Sequence, residues 1–338
     1  MAKIVVTGGL GFIGSHVADA YLAAGDSVTA IDSGIAAAID GSELEMHPRC
    51  TVIRESIEDF FEGGGSFEDA DRVVHAASHV GPAGILQYAG NLGMSMVRST
   101  EYVLEGCLAA EVPLCVFSSA EVYGRSGQLG ESDDIRVPTN YNARLEYAIA
   151  KTLIEAMTVN SLERGLRAIV IRPFNVVGAR QSRAGGFVMP TFVQQALAGE
   201  PITVFASGKQ VRAFTSATDI SHFLTHYWDK ALDSEDHIFN IGNPTNRTTI
   251  EGLAQRIKGL LNSDSEIHYT DGRQVYGPLY MEAESFEKVP VLRAATSLGW
   301  KPVVSLEDLI METAGYYQAR RDYRHEREHH QDNKYASI

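Results

Sequence analysis

The chain has 338 residues, of which 44% are hydrophobic and 21% are charged, a balance typical of a globular protein with a large buried core. Its formal net charge of −14 disfavours nucleic acid and anionic membrane surfaces as main partners. Three widely spaced cysteines predict neither a disulfide framework nor a metal site, no apolar run is long enough to span a membrane, and a reducing cytoplasm is the expected compartment.

The N-terminal stretch has the three parts of a dinucleotide-binding unit. The β-branched run over residues 3–7 predicts a buried strand, and residues 15–24 predict a helix. The loop between them is rich in glycine, which permits close approach to a pyrophosphate, and the helix N-terminus carries a partial positive charge. The loop residues predicted to bind the cofactor are Gly8, Gly11, Phe12, Ile13 and Gly14.

The next three predicted strands add residues to the same site. Residues 27–31 end at Asp32, whose carboxylate can accept both ribose hydroxyls of an adenosine and would repel a 2′-phosphate, so NAD is predicted in preference to NADP. Strands over residues 50–53 and 71–75 follow. The residues after them that are predicted to line the cofactor are Ser56, Ile57, Ala76 and Ala77. His79 is interpreted as a loop residue, with a sugar contact as the alternative.

A hydroxyl, a phenol and an ammonium group follow in the next two elements. The fifth predicted strand delivers Ser118, expected to contact the cofactor, and Ser119. In the helix predicted over residues 147–164, Tyr147 and Lys151 share a face because they are four residues apart. A neighbouring positive charge favours the phenolate, so the pKa of Tyr147 is expected to fall. The sequence therefore predicts a base, Tyr147, acting on an alcohol that Ser119 holds.

The order of the elements predicts the fold class. Strands and helices alternate, which indicates an α/β protein with a doubly wound parallel sheet of the Rossmann type and a smaller interwoven α/β lobe for the substrate. The predicted cofactor domain comprises residues 1–177 with 211–235, and the predicted substrate lobe comprises residues 178–210 with 236–318. Residues 319–338 form a predicted charged tail, for which a solvated helix is favoured over a histidine metal site.

Taken together, the glycine loop, the acidic strand end and the set of serine, tyrosine and lysine resemble the extended short-chain dehydrogenase/reductase family, and more narrowly its NAD-dependent nucleotide-sugar epimerase/dehydratase branch. Further landmarks in the family's order are Arg172-Pro173-Phe174-Asn175, Gly178-Ala179-Arg180-Gln181 and Leu298-Gly299-Trp300-Lys301-Pro302. The resemblance implies that NAD accepts a hydride from a sugar carbon, usually C4, while Tyr147 takes a proton and Lys151 holds the ribose. It also implies a homodimer formed through the apolar stripes of the helices at residues 91–110 and 147–164.

The resemblance further implies how a UDP-sugar substrate is held. Asn175, Arg212 and Lys288 fall where the family grips the diphosphate, and Phe205 falls near the position that packs on the nucleotide base. Two phosphates require cationic partners, and the guanidinium of Arg212 is suited to that contact. Arg180 is the candidate for binding the carboxylate of a uronic acid.

The triplet Ser119-Ala120-Glu121 bears on the outcome of the reaction, and its signals conflict. Ala120 stands where family 4,6-dehydratases place an acid, and a small residue there is common in 4-epimerases. Glu121, a further catalytic candidate, matches the glutamate of dehydratases and of UDP-glucuronate decarboxylases. The chain is therefore predicted to be a UDP-sugar 4-epimerase acting on a hexose or hexuronate. Decarboxylase or dehydratase activity is the alternative, and a non-catalytic NAD-binding scaffold is a remote one.

Overall fold

The structure is a computed structural model that describes residues 1–78, 81–124, 129–137, 141–277, 280 and 287–335, with the backbone alone over residues 321–335. The predicted loop residue His79 lies outside the described residues. The strands are β1 Lys3–Thr7, β2 Ser27–Ile31, β3 Cys50–Ile53, β4 Arg72–His75, β5 Leu114–Phe117, β6 Ala168–Pro173, β7 Val176–Val177, β8 Ile202–Phe205, β9 Val211–Ala213, β10 Thr215–Ser216, β11 Ile238–Ile241, β12 Arg247–Thr249, β13 Ile267–Thr270 and β14 Glu287–Lys288. The helices are α1 Phe12–Ala23, α2 Ser42–Glu45, α3 Ile57–Glu62, α4 Pro82–Gln87, α5 Leu92–Ala110, α6 Ala143–Ser161, α7 Val188–Ala198, α8 Ala217–His226, α9 Trp228–Leu232, α10 Ile250–Leu260, α11 Gly272–Tyr276, α12 Arg293–Ser297 and α13 Leu306–Tyr335.

Seven parallel strands form the central sheet, in the order β11-β6-β5-β4-β1-β2-β3. β1 pairs with both β2 and β4, so that Thr7 lies opposite Ile31 on one side and His75 on the other. The carboxyl ends of these strands therefore lie side by side, and the loops that follow them meet at one edge of the sheet. The α/β fold with a doubly wound parallel sheet is confirmed.

Apolar side chains from alternate positions of β1 build a core on each face of the sheet. Ile4 and Val6 belong to the cluster that includes α1 and α8, whereas Val5 belongs to the cluster that includes α5 and α6. A parallel strand covered by helices on both faces has this continuous apolar character. The helices α5 and α6 thus pack beside each other on one face and carry Leu92 and Ile154 into the core.

A third apolar cluster holds the smaller lobe together. Helices α7, α10 and α13 contribute Phe192, Leu253 and Leu309, which are all buried. Two small sheets border this cluster, one pairing β8 with β13 and one in the order β12-β9-β14. The second of these sheets brings Arg212 of β9 opposite Lys288 of β14, and so places two cations on neighbouring strands.

Two strands correct the predicted domain boundaries. β11, predicted in the substrate lobe, is the edge strand of the central sheet beside β6. β9, predicted in the cofactor domain, pairs with β12 and β14 instead. Both strands have four residues or fewer, and so short a run does not encode its pairing partner. The division into a cofactor domain and a substrate lobe otherwise stays a prediction.

Two helices differ in extent from the predicted ones. α6 begins at Ala143, ahead of the predicted start at Tyr147, because the side chain of Asn142 caps it by accepting the backbone N–H of Leu145 at 2.9 Å. Tyr147 therefore lies in the second turn. α13 continues without a break through the predicted tail to Tyr335. Within the described parts of the chain, no helix is both long and apolar enough to cross a membrane.

Candidate active site

Close backbone contacts require glycine in the loop between β1 and α1. A Cβ added to Gly14 would lie 2.0 Å from the carbonyl oxygen of Gly8, and one added to Gly8 would lie 2.7 Å from the backbone nitrogen of Ala77. α1 begins at Phe12 with no side-chain cap from Gly11 and no acidic residue in its first turn. The loop therefore offers backbone N–H groups and the positive end of a helix dipole to an anion, which fits the pyrophosphate of NAD.

Asp32 directly follows β2 and holds this loop in place. Its carboxylate accepts the backbone N–H of Leu10 at 3.0 Å and that of Gly34 at 2.8 Å, and its contact with a ribose stays a prediction. The hydroxyl of Ser56 caps α3 by accepting the N–H of Asp59 at 3.0 Å, and its contact with the cofactor stays a prediction. The other predicted cofactor residues at this edge are buried or half-buried, namely Ile13, Ile57, Ala76 and Ala77.

A buried histidine, which was not predicted as a site residue, joins the ends of β1 and β4. The Nδ1 of His75 lies 2.7 Å from the hydroxyl of Thr7, and its Nε2 lies 3.1 Å from the hydroxyl of Thr100. The Thr7 hydroxyl also accepts the N–H of Ala77 at 3.4 Å. Burial lowers the pKa of His75 to about 3, and the charge of Lys151 adds to this effect. A neutral imidazole thus contacts the Thr7 hydroxyl, which accepts the N–H of Ala77. Ala77 is the residue whose backbone lies against Gly8 of the glycine loop.

The predicted serine, tyrosine and lysine come together at the end of β5. Tyr147 and Lys151 are buried, and the hydroxyl of Ser119 forms a hydrogen bond with the phenol. The Lys151 Nζ donates to the carbonyl oxygen of Phe117 at 2.7 Å and lies 5.9 Å from the centre of the Tyr147 ring. A phenol and a hydroxyl held side by side can exchange a proton with a substrate alcohol and fix its oxygen.

The expected fall in the pKa of Tyr147 is wrong for this structure. Burial raises the pKa of the phenol above its ordinary value, and the hydrogen bond with Ser119 opposes this only in part. The Lys151 ammonium is directed to the Phe117 carbonyl, and burial lowers its own pKa to about 8 against the effect of Glu155. A further positive charge beside the phenol is required to bring Tyr147 into the range of a base.

Glu121 lies within a cluster of cations. Its carboxylate is 3.0 Å from the Arg144 guanidinium and 2.8 Å from the Lys288 ammonium, and Arg212 also acts on it. Burial opposes ionisation, but Lys288 and Arg144 outweigh it and hold the pKa of Glu121 at about 2. The Glu121 backbone N–H donates to the Ser119 hydroxyl at 3.2 Å, so the cluster adjoins the pair of Ser119 and Tyr147. One carboxylate among several cations leaves a positive field suited to an anionic substrate.

Two members of this cluster extend the sequence prediction. Arg144 was missed, although it lies three residues before Tyr147 on α6 and so shares its face, which is the signal that could have identified it. Lys288 was expected at the diphosphate, and the structure pairs it with Glu121 while it remains opposite Arg212 in the sheet. The side chain of Lys288 is 4% exposed, so its charge is directed into the site and away from solvent.

The remaining predicted substrate residues are placed differently from one another. Asn175 has a positive φ of 40°, and its side chain donates to the carbonyl of Ala213 at 3.0 Å, next to Arg212. Phe205 packs edge-on against Tyr280, with ring centres 5.8 Å apart. The Asn175 amide thus lies beside β9, the aromatic pair lies at the end of β8, and the substrate contacts of Asn175 and Phe205 stay predictions.

Arg180 is directed to a different neighbourhood. Its guanidinium lies 2.6 Å from the carboxylate of Asp19 on α1, and its backbone has a positive φ of 70°. Electrostatic effects also link it to His16 on α1 and to Tyr316 on α13. In the described part of the chain, no contact joins Arg180 to Glu121. Its role with a uronic acid carboxylate stays a prediction.

The side chain of Ser118 points into a buried network. Its hydroxyl donates to the carboxylate of Glu155, which accepts two further hydrogen bonds from Arg172, at 2.8 Å from Nε and 2.6 Å from Nη2. Arg172 also donates to the phenol oxygen of Tyr123 at 2.9 Å. The Ser118 hydroxyl thus has a protein partner in Glu155, and its expected contact with the cofactor stays a prediction. Across the described residues, no group of three or more His, Cys, Asp or Glu side chains is arranged to hold a metal ion.

A doubly wound sheet with a glycine loop for NAD and a buried set of serine, tyrosine and lysine defines an NAD-dependent enzyme of the short-chain dehydrogenase/reductase type. The chain belongs to the NAD dependent epimerase/dehydratase family, whose model matches residues 4–242. The resemblance and the cofactor inferred from the sequence are thereby confirmed.

Known relatives and structures refine this assignment. The chain is 29% identical to the UDP-N-acetyl-alpha-D-glucosaminuronate decarboxylase of Bacillus cytotoxicus over 94% of this chain and 98% of the relative. It is 28% identical to UDP-glucuronic acid decarboxylase 1 of Danio rerio over 98% and 75%, respectively. The structure of UDP-N-acetylglucosamine 4-epimerase from Methanobrevibacter ruminantium M1, in complex with UDP-N-acetylmuramic acid, matches with a TM-score of 0.81 at 25% identity, covering 94% of this chain and 99% of that one. The protein is therefore an NAD-dependent nucleotide-sugar enzyme of the epimerase/dehydratase family.

Proposed function

We propose that the protein is a UDP-hexuronate decarboxylase, which oxidises C4 of the sugar, releases C6 as CO2 and returns the hydride to C4. The observation that carries the proposal is the cluster of Arg144, Lys288 and Arg212 around Glu121, beside the reacting hydroxyls. A positive field attracts a C6 carboxylate, whereas the neutral hydroxymethyl group of a hexose gains little from it. The decarboxylase relatives from Bacillus cytotoxicus and Danio rerio, whose names specify uronic acids, support this choice.

The residues at the end of β5 fit the steps of this reaction. NAD, when bound, supplies the acceptor and later the donor of the C4 hydride. Tyr147 takes the proton of the C4 hydroxyl, and Ser119 holds the same oxygen. The resulting 4-ketone makes the substrate a β-keto acid, so the C5–C6 bond breaks and its electron pair moves onto O4. Hydrogen bonds from Tyr147 and Ser119 stabilise this enolate, and C5 then takes a proton from water. Tyr147 returns its proton to O4 as the hydride returns to C4.

The 4-epimerase predicted from the sequence is the second candidate. Ala120 is buried and carries no acidic group, and Glu121 is ionised, so neither offers a proton for C5. An epimerase needs no such donor, because the ketone turns over and receives the hydride on its other face. The structural likeness to a UDP-N-acetylglucosamine 4-epimerase supports the same candidate. A 4,6-dehydratase also needs an acid at the position of Ala120, which disfavours that outcome.

Product analysis tests the proposal directly. NAD-loaded protein is incubated with UDP-glucuronate and, separately, with UDP-N-acetylglucosaminuronate, while proton NMR follows the sugar and released CO2 is trapped. The decarboxylase proposal expects CO2 and a UDP-pentose from at least one substrate. A C4 epimer formed without CO2 would establish the second candidate instead. Absence of turnover on either substrate and on UDP-glucose, with NAD still bound, would revive the scaffold alternative.

We also propose that the enzyme is a homodimer formed through α5 and α6. Large apolar side chains are exposed on these helices, with Met94 71%, Ile149 47% and Leu153 47% exposed. Apolar groups in such positions favour burial against a second copy. Light scattering on the purified protein is expected to give twice the chain mass, and substitution of Leu153 by Asp is expected to give the single-chain mass. A monomeric wild-type protein would contradict the proposal.

A further inference from the structure

Three buried side chains form one row along α6. Tyr147, Lys151 and Glu155 follow one another at intervals of four residues, and each is at most 5% exposed. Residues four apart lie above one another on a helix face, so the row faces a single neighbour. That neighbour is the segment 117–119 at the end of β5, whose three consecutive residues each meet one member of the row. The reaction proposed above uses Tyr147, and the family resemblance implies that Lys151 holds the ribose of NAD, but neither gives Glu155 a role.

Glu155 is fixed from two sides. From β6, Arg172 binds both of its carboxylate oxygens, at 2.8 Å and 2.6 Å, and the hydroxyl of Ser118, the residue after β5, donates to it. Two parallel hydrogen bonds from a guanidinium give a defined geometry as well as charge compensation. The position of the Glu155 charge is therefore set by the sheet, independently of any ligand in the site.

Among the residues that the structure describes, few other charged groups act on Lys151. From β4, His75 acts on it as a neutral imidazole, because burial lowers the pKa of His75 to about 3. From α6 itself, the phenol of Tyr147 is also neutral, because burial raises its pKa. Burial lowers the pKa of Lys151 to about 8, and Glu155 is the group that counteracts this. Without Glu155, the ammonium of Lys151 would lose its counter-charge inside the protein.

We propose that Glu155 is a positioning residue of the NAD-dependent reaction: held in place by Arg172 and Ser118, it keeps Lys151 cationic beside Tyr147. The sheet thereby controls the charge of a residue in the active site through a carboxylate that touches neither cofactor nor substrate. The role concerns the oxidation of the sugar alcohol, which precedes decarboxylation and epimerisation alike. It therefore stands whichever product the enzyme forms.

The pH dependence of stability reports the Lys151 charge without use of a substrate. The pKa of Lys151 is about 8 in the folded chain and near 10.4 when unfolded, so the folded state binds fewer protons between these values and stability rises with pH across that window. In Glu155→Gln the folded pKa is expected to fall by about 1–2 units, so that the rise begins at correspondingly lower pH. Urea unfolding across neutral and alkaline pH measures this window. When Lys151 is replaced by Met, the additional change Glu155→Gln is expected to cause no shift in the pH at which stability rises.

Matched variants separate this effect from structural damage. Glu146→Gln changes a carboxylate on the same helix that accepts the N–H groups of Gly90 at 2.7 Å and Gly93 at 2.9 Å, and it is expected to leave the window in place. Glu155→Asp keeps the carboxylate charge, and its stability is expected to rise over the same pH range as that of the wild type. If Glu155→Gln does not fold, the paired variant Glu155→Gln with Arg172→Met removes both partners and is expected to show the same shift.

Turnover gives a second readout. The alkaline limb of the kcat profile is expected to move to lower pH in Glu155→Gln by the same 1–2 units, whereas a merely structural loss would lower kcat at every pH alike. An unchanged window and an unchanged limb in Glu155→Gln would overturn the proposal. A shift that persists in the Lys151→Met background would overturn it as well, because the titrating group would then be another residue.

Discussion

The predicted cofactor half and the predicted substrate half of the candidate active site are built from different chemical groups. The cofactor half consists mainly of backbone from one continuous stretch, where glycine is required because a Cβ at Gly14 would meet a carbonyl at 2.0 Å. The substrate half consists of charged side chains from separate segments, in which Arg144 and Lys288 converge on Glu121. The first half depends on shape and the second on electrostatic balance. Substitutions should therefore damage them in different ways.

Replacement of Tyr147 by Phe tests the junction of the two halves and should have the largest effect. The variant loses the phenol oxygen proposed to exchange the C4 proton, and turnover is expected to fall by about 1,000-fold. Because the ring remains and the glycine loop is untouched, NAD retention should not change. Turnover of UDP-glucuronate and the NAD content of the purified protein are the two measurements.

Tyr21→Phe is the matched control for this change. The Tyr21 phenol is also buried in the central domain, but it donates to the carbonyl of Leu224 at 2.9 Å, away from the reacting groups. Turnover within a few-fold of wild type is expected. Should Tyr147→Phe keep near-normal turnover, Tyr147 is not the base and the proposed chemistry fails.

Gly14→Ala tests the cofactor half alone. The added methyl group would lie 2.0 Å from the Gly8 carbonyl, so the loop must shift, at a cost of about 1–3 kcal/mol in the free energy of unfolding. The N–H groups move with the loop, and NAD is expected to be lost on purification. Gly259→Ala on α10 is the control, since its Cβ meets nothing within 4 Å and should stabilise the helix by up to about 1 kcal/mol.

Thermal unfolding and NAD content distinguish the two glycine variants. If Gly14→Ala retained both its stability and its NAD, the tight approach within the loop would not be required for binding. NAD binding in the cofactor half would then not depend on the shape of the loop.

The same contrast explains what sequence could and could not predict. The glycine loop, the alternation of strands and helices and the Tyr147 and Lys151 pair were found because their determinants are local, at spacings that a strand, a turn or a helix imposes. Arg144 was missed, because its significance depends on Glu121, which lies 23 positions earlier in the chain. Glu155 was missed for a similar reason, since Arg172 of another strand holds it.

The pKa of Tyr147 shows a second limit. Spacing alone placed a cation beside the phenol, but the direction of the shift depends on burial and on where the ammonium points. Strand pairing shows a third limit of sequence-based prediction. The sequence assigned β11 to the substrate lobe and β9 to the cofactor domain, whereas β11 pairs with β6 and β9 pairs with β12. In each case the missing information concerns a partner that is distant in the chain.

Arg144→Met tests the substrate half. It removes one cation from Glu121 and weakens the positive field, so kcat/KM for a UDP-hexuronate is expected to fall about 10- to 100-fold. NAD retention should be unaffected. The control is Arg164→Met, shortly after the end of α6. Arg164 forms an exposed ion pair with Glu105 at 2.6 Å, and its loss should change kcat/KM little. An equal loss for a neutral UDP-hexose would argue against recognition of a C6 carboxylate by this cluster.

Acid titration of stability gives the smallest expected effect and the most direct view of Glu121. Its pKa is about 2 in the folded chain against an ordinary 4.5, so the unfolded state binds more protons between these values and stability falls as the pH is lowered through that window. Because the carboxylate is 22% exposed, solvent screening limits the contribution to about 1 kcal/mol. Glu121→Gln should flatten this part of the profile. If wild type and Glu121→Gln lost stability in parallel below pH 4.5, the cations would not be holding Glu121 ionised. The substrate half would then depend on shape, as the cofactor half does.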